Sequence, residues 1–265
     1  MESWLATEEG QTETPRLTNA TRNIMLVLEY DGTSYDGFQI QPGVPTIQGE
    51  LEAALAKLTG EQIRVNAAGR TDAGVHALGQ VVNFTTTCAL EPAAIMKALN
   101  SLLPADISVR QATAVGPDFH ARFSARSREY RYCILNREAK PAIGRQYVYH
   151  YRKRLDVEAM REACVALVGT HDYRSFASGV DPTENTVRTV IRAECSRNDD
   201  LISIIIEADA FLPKMVRTIV GTLIWVGIHK IDVPRFREIM AARDRSLAGP
   251  TAPARGLCLT KVKYQ

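Results

Sequence analysis

Residues 23–30 read NIMLVLEY and lead directly into Asp31-Gly32. Branched and aliphatic side chains that end at an Asp-Gly pair predict a strand followed by a turn. Over residues 46–59 the apolar side chains recur every three or four positions, which predicts a helix. Similar patterns predict strands over 63–68, 80–85 and 107–115 and a helix over 92–103. The resulting order β-α-β-β-α-β is the ferredoxin-like split arrangement.

The second half of the chain resembles this order. Its patterns predict strands over 128–135, 186–196, 201–208 and 257–264 and helices over 155–168, 212–228 and 234–242. We therefore predict an α+β protein of two related ferredoxin-like halves with a cleft between them, although helices of opposite halves could instead pack on one shared sheet. The predicted divisions are a disordered N-terminal tail over residues 1–22, a first half over 23–118 and a second half over 119–265.

Composition excludes several classes of protein. The chain has 265 residues, of which 45% are hydrophobic and 23% charged, as in ordinary globular proteins. No run approaches the roughly 18 apolar residues of a membrane span. Five widely spaced cysteines without a C-x-x-C pair argue against a disulfide framework or a tetrathiolate zinc site. With a polar N-terminus, these features predict a soluble cytoplasmic protein with reduced thiols.

The common enzyme signatures are missing. There is no Walker loop, no Rossmann glycine fingerprint, no H-E-x-x-H and no G-x-S-x-G, and the five histidines are scattered. We therefore expect a protein that works without a nucleotide cofactor and without a metal.

The densest chemical constellation is AAGRTDAGVHA, residues 67–77, which joins two predicted strands. Two glycines and several small residues would let the backbone turn sharply and let a ligand approach closely. The carboxylate of Asp72 would then project from a shaped loop. The alternative is a simple turn in which the aspartate accepts hydrogen bonds from nearby backbone amides.

An aspartate near pH 7 is ionised, so Asp72 would be a poor proton donor but a usable nucleophile or base. A nearby arginine would keep it ionised even when shielded from water. Arg70 is one candidate, and Arg217, within the largely apolar segment FLPKMVRTIVG, is another. If buried, Arg217 needs an anionic partner; otherwise it is exposed or extends its head to solvent.

A basic block covers residues 120–161, with eleven Lys and Arg against four Asp and Glu, a net charge of +7. Its first part, residues 118–132, interleaves basic and aromatic side chains, a pattern that suits RNA because guanidinium groups meet phosphates and rings stack on unpaired bases. Tyr130 and Tyr132 would share one face of a strand. The alternatives are a solvated surface segment and core packing by both tyrosines.

The sequence resembles the tRNA pseudouridine synthase A family, which acts on positions 38 to 40 of the tRNA anticodon stem-loop. The resemblance covers the chain from about Ile24 onward. It rests on the segments YDGT (30–33), GFQ (37–39), GRTDAGVHA (69–77), FHARFSA (119–125), YRY (130–132), FL (211–212), MVR (215–217), VG (220–221) and AGPTAPARGL (248–257).

The resemblance implies specific roles and partners. Asp72 matches the catalytic aspartate, Tyr130 a tyrosine that contacts the target uridine, and Arg217 the arginine that pairs with the carboxylate. Arg70 stands where the family's arginine helps displace the base. The implied fold is two related α+β halves that share an antiparallel sheet around a catalytic cleft. The implied assembly is a homodimer in which each tRNA touches both protomers.

Two other functional classes stay open at this point. A non-catalytic RNA-binding protein could use the same fold and would tolerate Asp72→Asn. A carboxylate hydrolase such as a glycosidase usually needs two carboxylates about 5–10 Å apart. The Asp72 loop offers one, with arginines as neighbours.

Overall fold

A computed structural model describes residues 21–181 and 183–264. In these ranges ten strands form one sheet, with the path β4-β1-β3-β10-β5-β9-β8-β7 and two short strands paired beside it. The predicted disordered tail lies outside the described residues except for its last two positions. The predicted division of the chain after residue 118 stays a prediction.

The first half has the predicted β-α-β-β-α-β order. Its elements are β1 (Arg22–Tyr30), α1 (Ile47–Thr59), β2 (Asn66–Ala67), β3 (His76–Thr86), α2 (Pro92–Leu102) and β4 (Ile107–Val115). The strands β4, β1, β3 and β2 are neighbours in that order, and every pair is antiparallel. This is the strand order of a split β-α-β unit and confirms the prediction. Thr46 caps α1 by accepting a hydrogen bond from the Gly49 amide, and Gly60 ends it in a left-handed conformation.

The second half repeats the same order. It contains β5 (Ser127–Leu135), β6 (Tyr149–His150), α3 (Val157–Val165), β7 (Gly169–Asp172), β8 (Val187–Asn198), β9 (Leu201–Ala208), α4 (Met215–Gly227), α5 (Val233–Ala242) and β10 (Leu257–Lys263). The strands β10, β5, β9 and β8 correspond to β4, β1, β3 and β2, and they too are antiparallel. Two related halves are therefore present, with β7 added at the far edge.

The halves join where β10 pairs with β3 in parallel, through Cys258 opposite His76 and Leu259 opposite Ala77. Gly79 permits this close approach, because a Cβ there would lie 2.6 Å from the carbonyl oxygen of Thr260. We call this junction the seam. The helices pack within their own halves, α1 with α2 and α3 with α4 and α5, while the sheet is shared. The structure therefore combines the two predicted arrangements: separate helical layers and one sheet.

The differences from the predicted elements have physical reasons. The strand predicted over 63–68 shrinks to β2, because Ile63 and Val65 point into the core while the Val65 amide donates to the Glu52 side chain. The strand predicted over 80–85 begins earlier, at His76, where glycine and polar residues hide its pattern. β6 and β7 are too short for a periodic signal.

The described ranges contain no helix that is both long and apolar enough to cross a membrane. All five cysteines are free thiols. Cys164 and Cys195 are buried and the other three are half-buried. Burial raises the pKa of Cys195 to about 12 and that of Cys258 to about 11, so both are protonated at neutral pH.

Candidate active site at the seam between the halves

The loop of residues 69–75, which precedes β3, is shaped by its neighbour, the loop of residues 31–38. The Phe38 amide donates to the Thr71 carbonyl at 3.0 Å, and the Gly74 amide donates to the Tyr35 carbonyl at 3.2 Å. At Gly37, where φ is 93°, a Cβ would lie 2.7 Å from the Thr71 carbonyl oxygen. Only glycine allows this approach in that backbone conformation, so the first loop fixes the shape of the second.

Side chains from the sheet also form hydrogen bonds with the loop that carries Asp72. Thr71 Oγ1 and the Tyr30 hydroxyl share a hydrogen bond of 2.8 Å, and Gln80 donates to the Gly69 carbonyl at 2.7 Å. Burial raises the pKa of Tyr30, so this phenol stays neutral. The backbone of the loop is therefore held on both sides of Asp72, and its side chain extends away from these anchors.

Asp72 forms an ion pair with Arg217, which comes from α4 in the other half of the protein. Arg217 Nη1 lies 2.7 Å from Asp72 Oδ2, with 16% of the arginine side chain and 36% of the aspartate side chain exposed. Arg217 Nε donates to the Ala252 carbonyl at 2.8 Å, and the Ala252 amide donates back to Arg217. Of the two arginines considered from sequence, Arg217 is the partner, and the alternative of an extended, solvated Arg217 is wrong.

The alternative of a simple Asp turn is also wrong. Among the described residues no backbone amide donates to the Asp72 carboxylate, whose one recorded partner is Arg217. Oδ1 makes no hydrogen bond within residues 21–181 and 183–264, and 36% of the Asp72 side chain is exposed. An ionised carboxylate that is oriented on one oxygen and open on the other is suited to act as a nucleophile or a base.

The position of Arg217 depends on two glycines that sequence reasoning did not single out individually. A Cβ at Gly221, on α4, would lie 1.7 Å from the Pro250 carbonyl oxygen, and a Cβ at Gly249 would lie 2.6 Å from the Gly221 carbonyl carbon. The Gly249 amide also donates to Thr222 Oγ1 at 2.9 Å. Backbone therefore packs on backbone, and Ala252 is brought to the guanidinium. The only signal for this contact was that both glycines lie in segments that carry the resemblance.

Tyr130, on β5, lines the same site. Its ring meets Phe211 edge-to-face, with centroids 5.0 Å apart and planes at 86°. Burial raises the pKa of Tyr130, and the negative charge of the nearby Asp72 raises it further. Within the described part of the chain its hydroxyl makes no hydrogen bond, whereas the hydroxyl of Tyr132 donates to the Pro253 carbonyl at 2.8 Å. Both tyrosines are buried in the core, but only Tyr130 keeps an unused phenol oxygen, which lies beside Asp72.

Arg70 is exposed, and no hydrogen bond or ion pair of its side chain is found within residues 21–181 and 183–264. It does not pair with Asp72. In the segment before β5, Phe123 is 77% exposed, and its ring centroid lies 4.4 Å from that of His120. Unengaged guanidinium groups and exposed aromatic rings are typical contacts for single-stranded nucleic acid.

The basic block of residues 120–161 is mostly at the surface. Nine of its eleven basic residues are exposed: Arg122, Arg126, Arg137, Lys140, Arg145, Arg152, Lys153, Arg154 and Arg161. Arg131 is half-buried. Arg128 is buried, so its inclusion in a polyanion-binding surface is wrong.

The segment between β5 and β6 is held against the start of β3 and the adjoining loop. His76 Nε2 lies 3.0 Å from the Gln146 carbonyl oxygen, and the Tyr147 hydroxyl donates to Asp31 at 2.8 Å. The His76 and Tyr147 rings also meet edge-to-face. Lys140 and Arg145 therefore lie on a segment that is bonded to the first residue of β3 and to the loop of residues 31–38.

The chain shows clear similarity to known proteins. Residues 26–124 and 163–265 match a family model described as tRNA pseudouridine synthase. The tRNA pseudouridine synthase A of Moorella thermoacetica is 48% identical over 91% of this chain and 99% of its own length. That of Geobacillus sp. (strain WCH70) is 46% identical over 92% of this chain and 99% of its own length.

A fainter structural likeness, with a TM-score of 0.30 and 13% identity, relates 76% of this chain to 54% of a chain in the "Crystal Structure of a Cbf5-Nop10-Gar1 Complex". The sequence matches assign this chain to a class of isomerases, the pseudouridine synthases. In this chain the class has an α+β fold with one shared sheet and an arginine-paired aspartate at the seam. The chain belongs to the tRNA pseudouridine synthase family.

Proposed function

We propose that this protein converts uridine to pseudouridine at positions 38, 39 and 40 of the tRNA anticodon stem-loop. The observation that carries the proposal is the Asp72–Arg217 pair, assembled from both halves and lined by Tyr130. It occurs in a chain whose relatives, at 48% and 46% identity over 99% of their length, are named tRNA pseudouridine synthase A.

The reaction breaks the bond between N1 of uracil and C1′ of ribose, turns the base, and joins C5 to C1′. The hydrogen on C5 leaves to solvent and N1 gains a proton, so the overall reaction is an isomerisation. A base stacked within the RNA cannot turn in this way and must first leave the stack, at a cost of a few kcal/mol. Asp72 then attacks the sugar or C6 of uracil, or abstracts a sugar proton.

Arg217 and Tyr130 have complementary roles in this scheme. Arg217 donates to one carboxylate oxygen of Asp72 and so fixes the orientation of that carboxylate. Tyr130, which is buried and braced by Phe211, forms part of the wall against which the extruded uracil packs. Its unused hydroxyl is available to the nucleotide.

The exposed cations supply the binding energy that offsets base flipping. Arg70 stands two residues before Asp72 and helps to displace the target base from the stack. The exposed part of the basic block meets backbone phosphates, a contact that depends on salt rather than on sequence. Phe123 adds an exposed ring for an unpaired base.

The proposed assembly is a cytoplasmic homodimer in which each tRNA touches both protomers. This part rests on the family resemblance and on the absence of a cysteine framework typical of oxidising compartments. Light scattering with and without tRNA tests it: a particle of twice the chain's 29.3 kDa is expected, and a monomer that is fully active would contradict it.

The test of the proposal is to map the product. Unmodified tRNA transcripts with uridine at positions 38, 39 and 40 are incubated with the protein, and pseudouridine is located by carbodiimide modification and primer extension. We expect stops at those three positions and none in a transcript that carries cytidine there. Pseudouridine only at other positions would refute the assigned substrate, and none anywhere would refute the activity.

A further inference from the structure

Arg128 lies on β5, two residues before Tyr130, and is 9% exposed. Its guanidinium is directed at main-chain carbonyl oxygens. Nε and Nη2 both donate to the Ala68 carbonyl oxygen, at 3.2 and 2.9 Å. Nη2 also donates to the Arg122 carbonyl oxygen at 2.6 Å. Nη1 donates to the carbonyl oxygens of Asp209, at 2.7 Å, and Ala125, at 3.3 Å.

These carbonyl groups belong to three segments that converge on the active site. Ala68 directly precedes the loop that carries Asp72. Arg122 and Ala125 flank the exposed Phe123. Asp209 precedes Phe211, whose ring supports Tyr130. The side chain of Arg128 thus contacts all three segments at once.

The chemistry of this contact is unusual for a buried cation. Burial lowers the pKa of Arg128, yet a guanidinium stays charged in proteins. Buried charges usually pair with an opposite charge, but the partners of Arg128 are all carbonyl oxygens. A guanidinium has five N–H donors, and the five hydrogen bonds use them all. No donor is left for an RNA phosphate.

We infer that Arg128 is a positioning residue that fixes the Asp72 loop, the Phe123 segment and the Phe211 support of Tyr130 relative to one another. The inference rests on the proposed function and adds a residue to it. The planar fork of arginine has five donors directed at three segments, whereas the three donors of a lysine ammonium leave from one nitrogen and replace only some of these contacts. The site is therefore preorganised by a cation that never touches the substrate.

The test compares Arg128→Met and Arg128→Lys with wild type in single-turnover tritium release from [5-³H]uridine tRNA. We expect the rate with saturating enzyme to fall about 100-fold in Arg128→Met, since a displacement near 1 Å is enough for that loss. Arg128→Lys should recover part of the rate. The Kd for tRNA at fixed salt should change less than about threefold, since no phosphate contact is lost.

The control variant is Ser175→Ala. Ser175 is buried in the second half, donates to the Ile239 carbonyl at 2.6 Å and accepts from the Asp244 amide at 2.9 Å. Losing these bonds should lower the Tm without changing the single-turnover rate. If Arg128→Met keeps the wild-type rate, or loses tRNA affinity in proportion to rate, the positioning role is wrong.

A second measurement covers the case in which the Arg128 variants fail to fold. Native-state hydrogen exchange of the wild-type protein follows the bonded amides of Ala68, Ser124 and Asp209. If Arg128 holds the three segments together, these three amides should exchange with one common opening free energy. Three different opening free energies would contradict the positioning role. This readout needs no activity, so a wild type that releases no tritium would defeat the proposed function without deciding the role of Arg128.

Discussion

Replacing Gly221 by alanine should disable the site without touching a residue that contacts substrate. A Cβ at Gly221 would lie 1.7 Å from the Pro250 carbonyl oxygen, whereas ordinary contact begins near 3.4 Å. The backbone at Pro250 must therefore retreat by about 1.7 Å or α4 must shift by a similar distance. Either movement separates Ala252 from Arg217, and Arg217 then loses the acceptor that orients it toward Asp72.

Two opposing effects set the stability of this variant. Alanine favours a helix over glycine by about 0.5–1 kcal/mol. Overpacking costs about 1–3 kcal/mol, and the upper part of that range applies because the clash is with backbone. The net loss is about 1–2.5 kcal/mol, which lowers the Tm by roughly 2–10 °C in a chain of this size. The displacement of Arg217 should lower kcat about 100-fold.

The matched control for this substitution lies on the same helix. A Cβ at Gly227 would meet the Met160 sulfur at 2.8 Å and a Leu155 methyl at 3.0 Å, both ends of flexible side chains. Gly227→Ala should therefore be milder in Tm and should keep the wild-type kcat. Both variants are assayed by differential scanning calorimetry and multiple-turnover tritium release. A folded Gly221→Ala protein with wild-type kcat would refute the reasoning.

Three further predictions concern binding, pH and thiol chemistry. Phe123→Ala should weaken tRNA binding about tenfold in a filter-binding assay and leave the Tm unchanged, because an exposed stacking ring is lost; unchanged binding would place Phe123 outside the interface. Burial alone would raise the pKa of Glu207, but hydrogen bonds from Lys263 and Ser127 outweigh it and lower that pKa below its ordinary value. The stabilisation is complete above the unfolded pKa and is lost as pH falls through the folded one, so Glu207→Gln should flatten the fall of Tm below about pH 4.5; an equally steep fall would contradict this. In native protein at pH 8, iodoacetamide followed by peptide mass spectrometry should leave Cys195 unmodified, because burial raises its pKa to about 12, and rapid labelling would show that this region opens.

The regular elements could be predicted because their signals are local. β4 and β9 begin and end where the residue pattern places them, over Ile107–Val115 and Leu201–Ala208. Repetition of one order in both halves then fixes most strand neighbours. The parallel contact of β3 with β10 could not be predicted from periodicity, since His76 and Gly79 interrupt the pattern where the strands meet.

The site was predictable in its residues but not in its contacts. Asp72 and Arg217 are 145 positions apart, and the residue pattern left both Arg70 and Arg217 as candidates until the family resemblance favoured Arg217. Only the fold brings α4 to the loop. For Arg128 the sequence prediction was wrong in a different way. Its charge was counted as part of a basic surface, but its guanidinium is buried and donates five hydrogen bonds to carbonyl oxygens. Composition records charge, whereas burial decides what that charge contacts.

The most direct test of the proposed chemistry compares wild type with Asp72→Asn, a change that keeps the size of the side chain and removes its charge. Both proteins are mixed in excess with tRNA that carries tritium at uridine C5, and tRNA binding is measured in the same samples. We predict tritium release by wild type, and none by Asp72→Asn although it binds the tRNA. Release at the wild-type rate by Asp72→Asn would show that this carboxylate does not perform the reaction.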